Sequence, residues 1–259
     1  MLEALAAGAV GLGAASFLVV GAAIGWFVRV PIGAVAGVMA FGAGALISTL
    51  AFELVGESHA VGGLLPTLGG FLAGAIIYVL ADLALAQRGA RARKRSIALQ
   101  SAPGARAAPA ATAAGGVGLA VAVGALLDGV PESLVLGLSI AQGGTVSIPI
   151  LVAVAVSNIP EGLSSAAGMK HEGRRIGYVF GVWGGIAVTS GVAAMLGFVL
   201  LAQAGPELVA VVTTVAAGGI LAMVANTMIP EAFASDRSFT GLWAALGFAL
   251  AFALYQLGQ

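Results

Sequence analysis

The sequence predicts an all-α integral membrane protein with eight transmembrane helices in a 3+2+3 arrangement and inverted repeats. Three observations predict it. Of the 259 residues 60% are hydrophobic and 8% charged, which is too little polar surface to coat a water-soluble domain, and apolar runs near 20 residues recur from end to end. The basic residues fall only between alternate runs, as multi-pass proteins require. Two pairs of segments repeat within the chain. There are no cysteines, which excludes disulfides, thiolate metal sites and thiol catalysis.

The first span covers about 3–27. Its start has no basic region and its apolar stretch is too long for a signal-peptide core, so it reads as an uncleaved helix. Polar and Pro/Gly punctuation then gives spans at about 33–55, 64–87, 117–141, 146–168, 176–203, 207–232 and 239–257, each near the ~20 residues a bilayer core needs. All lie in one transmembrane domain, 1–259. The single long connection, 88–116, reads RGARARKRSIALQSAPGARAAPAATAAGG. It is basic at first, then rich in Ala, Pro and Gly, which predicts a flexible cytoplasmic loop. With that loop inside, Arg29, Lys170, Arg174, Arg175 and Arg237 fall inside too, so all eleven basic residues share one side. Both termini are then extracytoplasmic, in a cell (inner) membrane. The arginine cluster reads as a stop-transfer signal and an anchor on anionic lipid, not as a nucleic-acid patch.

The spans also hold acids. Asp128 and Glu132 fall in span four and Glu161 in span five, whereas His59 and His171 read as loop residues and no Lys or Arg is predicted inside a span. A carboxylate at the bilayer centre costs at least ~2.5 kcal/mol, so such groups are protonated, face water, or hold a cation. Asp128 and Glu132 are four apart, as are Ser157 and Glu161, which stacks each pair on one helix face with Asn158 beside them. Pro131 and Pro160 precede the two glutamates. Each removes a backbone hydrogen bond and frees the carbonyl of Leu127 or Val156 as a further oxygen ligand. Paired proline-interrupted segments point to a midplane binding site in transporters built from inverted repeats. On this reading spans four and five pack together, with Glu132 and Glu161 across a shared cavity.

A weaker repeat flanks that pair. AGALISTLAFELVGES (43–58) aligns without gaps on AGGILAMVANTMIPEA (217–232), with identities at Ala43/Ala217, Gly44/Gly218 and Glu57/Glu231. These are spans two and seven, which run in opposite directions, so spans one to three and six to eight form inverted copies around four and five.

Together these motifs, DGVPESLVLG in span four, SNIPEGL in span five, AFGAGALISTLAFELVGES in span two and AAGGILAMVANTMIPEA in span seven, resemble the ZIP family of divalent-metal transporters in its bacterial GufA-like branch. The resemblance implies a mid-membrane site for one or two metals with Asp128, Glu132, Ser157, Asn158 and Glu161 as ligand candidates, and Asn226 and Thr227 at span-seven positions where relatives carry glutamate. Asp128 stands where the family usually has His, Gly129 where it has Asn, and Ser157 where it has His or Gln.

The candidate donors are almost all oxygen atoms. Carboxylate, carbonyl and water suit manganese and similar hard ions better than zinc, so manganese, iron(II) or a broad divalent range fits the residues, while the resemblance keeps zinc in view. The metal is transported substrate; no cofactor is expected. Glu53 and Ser48 in span two either complete the site or, for Glu53, line an entrance, with Glu57 and His59 on the same outer side. Glu231 and KHEGRR (170–175) mark the cytoplasmic mouth. No P-loop occurs, and hydrolysis at Ser157 would need a nearby histidine, so the chain does not read as an enzyme. A non-transporting ZIP-like metal sensor or scaffold is the alternative, and a homodimer is left open. The topology has a direct test: a cysteine placed in 88–116 should resist an impermeant thiol reagent in intact cells, and labelling from outside would invert every loop assignment.

Overall fold

The structure is a computed structural model that describes residues 1–85, 116–143, 146–171, 173–236 and 238–258. Among these residues the chain forms eight helices: α1 (Leu2–Phe27), α2 (Ile32–Gly62), α3 (Leu64–Leu85), α4 (Gly116–Gly143), α5 (Ile148–His171), α6 (Ile176–Leu201), α7 (Pro206–Ser235) and α8 (Thr240–Gly258). All but α4 are long and apolar enough to cross a bilayer throughout the residues described, and α4 carries a described apolar stretch over Gly129–Ala141. The chain is a multi-pass membrane protein. Apart from Gly116, the predicted 88–116 loop lies outside the described residues, as does Arg237.

Two expectations are corrected. The sequence ends span two near residue 55 and leaves Glu57 and His59 in a loop, but α2 continues to Gly62. It does so through a π-helical segment, Leu50–Gly56, which widens the turn without breaking the backbone ladder. Gly63, at φ 79°, ends the helix in a conformation that favours glycine. His171 likewise is the last residue of α5, which Gly173 closes at φ 77°. As the sequence leads one to expect, Pro131 and Pro160 lie inside α4 and α5, which continue through them. The irregular helices are instead α2 and α7, whose second π segment spans Val224–Met228. A proline removes one bond, which a membrane helix tolerates when neighbours re-satisfy the freed group.

Glycines set the packing. A Cβ on Gly44 of α2 would overlap the Ala244 carbonyl of α8, and one on Gly247 of α8 would overlap the Phe41 carbonyl of α2. The α3–α7 crossing is built the same way, with Gly218 on the Phe71 carbonyl and Gly74 on the Val215 carbonyl. A second matched set joins α1 to α5, through Gly21 on Ile159 and Gly162 on Leu18, and α6 to α4, through Gly197 on Leu134 and Gly137 on Ala194. These four crossings, with the contacts of α1 on α6 and of α2 on α7, are the heaviest in the fold. The numbering offsets are constant: 174 from α2 to α7, 173 from α3 to α8, 176 from α1 to α6, and 25 between α4 and α5. Lipid tails are as apolar as leucine, so such backbone-to-backbone approach is how membrane helices gain packing energy.

The crossing geometry predicts opposite signs for one substitution. Gly44→Ala and Gly218→Ala should each destabilise the protein by about 1–3 kcal/mol through overpacking. Gly13→Ala has open space around it and should be neutral or stabilise by up to about 1 kcal/mol. Thermal unfolding in detergent reads both.

Candidate cation site

The polar turns of α4 and α5 are buried. Glu132 is 3% exposed, Ser157 4% and Asn158 3%, whereas Glu161 is half-buried. Their surroundings differ from the expected pairing of α4 on α5. Those two helices touch lightly, and each packs chiefly elsewhere, α4 on α6 and α5 on α1 and α2. The Ser157 turn presses on α2, where a Cβ on Gly42 would stand 3.0 Å from the Ser157 α-carbon. Asn158 Nδ2 donates to the Ala14 carbonyl of α1 at 3.1 Å. That bond fixes the side chain and leaves Oδ1 as its remaining acceptor. The Ser157 hydroxyl donates to the Val154 carbonyl at 2.9 Å and the Ser133 hydroxyl to the Gly129 carbonyl at 2.7 Å. Both oxygens keep lone pairs.

The crossings also correct the register of the Pro-Glu repeat. In sequence the two motifs are offset by 29 residues, since Glu132 aligns with Glu161. Packing matches α4 to α5 at an offset of 25, because Gly137 stands to Ala194 as Gly162 stands to Leu18. The difference is about one helical turn. Glu132 therefore corresponds to Ser157, Ser133 to Asn158 and Leu136 to Glu161. Both glutamates keep their helix face but do not occupy matching places. Asp128 lies on α4, and its side chain is outside the described residues. Among the described residues no group of three or more His, Cys, Asp or Glu is close enough to hold a metal ion.

Two cavities approach this region from opposite ends. The first, about 500 Å³, is lined by Glu53, Glu57 and Ser58 of α2, by Val135, Leu138 and Ser139 of α4, by Ser147 and Ile150 at the start of α5, and by Val209, Ala210 and Thr213 of α7. The second, about 680 Å³, is lined by Arg29, by Val35, Ala36 and Met39 of α2, by Leu163, Ser164, Ala167 and Lys170 of α5, and by Glu231 and Ser235 of α7. Many linings correspond through the offsets above. Val35, Ala36 and Met39 match Val209, Ala210 and Thr213, while Leu163 and Ser164 match Leu138 and Ser139. Glu57 matches Glu231. Glu132 and Glu161 line neither of these two cavities. The nearest α4 and α5 linings are Val135, three residues beyond Glu132, and Leu163, two beyond Glu161.

The remaining candidates separate. Glu53 and Glu57 share the first cavity, whereas His59 is exposed on the last turns of α2 and lines neither cavity. Asn226 and Thr227 sit in the π segment of α7, and Asn226 is exposed and lines neither cavity. Ser48 is buried with no hydrogen-bond partner for its hydroxyl. Sequence reasoning missed Ser147, in the link before α5, and Thr213, beside Thr214 in an apolar stretch of α7. Ser147 joins the first cavity by donating a short hydrogen bond to Glu53.

Fold and site define a multi-pass membrane protein with a buried polar centre between two cavities. No family model matches the chain, and no curated protein matches it.

Asn158 gives a test of the centre that needs no metal. Asn158→Asp removes the donor to Ala14 and sets a carboxylate against that carbonyl. Leaving a buried acceptor unmet should destabilise the metal-free protein by about 1–3 kcal/mol. Denaturation in chelator reads it, and unchanged stability would show that the tether is not used.

Proposed function

We propose that the chain transports divalent cations across the membrane, as a ZIP-like protein with two inverted three-helix repeats around α4 and α5. One observation carries the reading: buried carboxylate, amide and hydroxyl groups lie between two cavities that open at opposite ends and share matching linings. Alternating access needs this arrangement, a central site and two routes that do not connect. The constant offsets of the glycine crossings support the inverted repeat. So does the position of the π segments, which begin at Leu50 and Val224, the same place in the aligned repeat.

In this proposal Glu132, Ser157, Asn158 and Glu161, with Asp128, take the ion in mid-membrane. Manganese, iron(II) and zinc are the candidate substrates, and the oxygen donors favour the harder ions. The end bearing Arg29, Lys170, Arg174 and Arg175 faces the cytoplasm of a cell (inner) membrane, which puts both termini outside. Lys170 holds that end by donating to the Trp26 carbonyl while its ammonium lies 5.4 Å from the Trp26 ring centre. A second reading, a protein of this fold that binds metal without moving it, is favoured by the missing three-ligand cluster among the described residues.

Flux into proteoliposomes decides between them. Manganese, zinc and iron(II) should enter liposomes containing the parent protein, and Glu132→Gln or Glu161→Gln should lower uptake by at least about tenfold. Asp128→His should shift the ranking towards zinc by on the order of tenfold, because imidazole suits zinc better than a hard oxygen site does. No flux with retained binding would establish the sensor reading. An unchanged ranking for Asp128→His would remove Asp128 from the site.

A further inference from the structure

The first cavity contains more than a route. Ser147 is fixed from both sides: its oxygen accepts from the Ile150 N–H at 3.3 Å, and its hydroxyl donates to Glu53 Oε1. That carboxylate oxygen is thereby an acceptor, and its partner Oε2 is buried without any hydrogen-bond partner. Thr213, 6% exposed, lines the same cavity and also has a buried hydroxyl oxygen with no partner. Glu57, one turn beyond Glu53 on α2, adds a second carboxylate. No Lys, Arg or His is among the described residues that line it.

A buried carboxylate oxygen and a buried hydroxyl without partners, on two residues that line one cavity, are expensive unless something meets them. A cation meets both at once, because it takes oxygen lone pairs from each. The remaining walls, Leu54, Val61, Val135 and Leu138 among them, are apolar and concentrate the field of the carboxylates. At about 500 Å³ the cavity accommodates an ion that keeps much of its water, since six waters and the ion fill roughly 200 Å³ at about 30 Å³ each.

We infer that Glu53, Glu57, Ser147 and Thr213 form a second cation-binding station in the outer cavity, separate from the mid-membrane residues and taking a partly hydrated divalent ion. Ser147 positions Glu53, and Glu53 and Thr213 touch the ion directly. The inference rests on the proposed transport reading only for the class of ion. With two carboxylates and mainly neutral oxygens, the station binds hard ions weakly and exchanges them quickly.

Manganese binding to the purified full-length protein, followed by loss of the free-ion paramagnetic resonance signal, tests it. The Glu132→Gln/Glu161→Gln double variant, which removes the mid-membrane carboxylates, should still bind about one manganese ion per chain. Adding Glu53→Gln should weaken that binding by at least about tenfold, adding Thr213→Val by several-fold, and Thr213→Ser should restore it. Identical binding by the parent and the double variant, lost only with Glu53→Gln, would sink the mid-membrane reading and leave the outer station standing. No manganese bound by the double variant, or residual binding indifferent to both Glu53→Gln and Thr213→Val, overturns the station. Thermal unfolding of each variant without metal shows that it is folded.

Discussion

Backbone meeting backbone at glycine is the constraint on which the rest of this structure depends. In a bilayer there is no hydrophobic gain from bringing two apolar helices together, so dispersion over closely approached surfaces must hold them. The chain meets this with glycines set against carbonyls on both sides of each major crossing, Gly44 and Gly247 between α2 and α8, Gly74 and Gly218 between α3 and α7. The same device binds α5 to α1 and α4 to α6. Because α4 and α5 are anchored outward, they need not pack on one another. Their polar turns are still shielded from lipid, Glu132 on α4 and Asn158 against the Ala14 carbonyl of α1.

The spans of α1 to α3 and α5 to α8 were legible because an apolar run near 20 residues matches the thickness of a bilayer core and exceeds what a buried helix of a soluble domain usually needs. The ends of α2 were not, since a π turn keeps the backbone bonded while shifting the surface that hydrophobic periodicity reads. The glycine crossings were present in the sequence only as an excess of glycine, because a small residue shows where close approach is permitted but not which carbonyl it meets. Of the candidate site, the buried polar character of Glu132, Ser157 and Asn158 could be read from their place in apolar runs. Their mutual register could not. The Pro-Glu motifs suggest an equivalence of Glu132 with Glu161, and packing, which sees helix surfaces instead of motifs, matches Glu132 to Ser157. Thr213 and Ser147 were invisible for a simpler reason: a hydroxyl in an apolar helix or a short link has no periodic signal and is usually satisfied by nearby backbone.

The two π segments bear on how one fold makes two unlike mouths. Both begin at the same position of the aligned stretch, Leu50 in α2 and Val224 in α7. Each follows the crossing glycine, Gly44 or Gly218, by six residues, so the extra residue per turn rotates everything beyond it relative to the packed face. Past that point Glu57 and Glu231 still correspond, and each lines one cavity. The residues one turn earlier diverge, Glu53 on one side and Thr227 on the other. A shared backbone irregularity thus aims two different sets of side chains, and π turns recur at functional sites for this reason.

That difference gives the two cavities unequal fields. The first holds Glu53 and Glu57 with no basic group among its described lining residues, whereas the second, the inner one in the proposed orientation, holds Glu231 together with Arg29 and Lys170. Low-dielectric walls concentrate fixed charge, so a cation is drawn into the first cavity and held less well in the second. Under the proposed orientation the membrane potential acts in the same direction. An inward step across 100 mV, negative inside, favours a divalent ion by about 4.6 kcal/mol, twice the ~2.3 kcal/mol per elementary charge. Transport by alternating access is limited as much by release as by capture, because a site equally tight towards both sides fills and stalls. In the transport proposal, basic groups at the inner mouth would weaken binding where the ion must leave, and the potential would supply the work of bringing it that far. The sidedness of Arg29 and Lys170, which the positive-inside rule treats as an insertion signal, would then also set the direction of net flow.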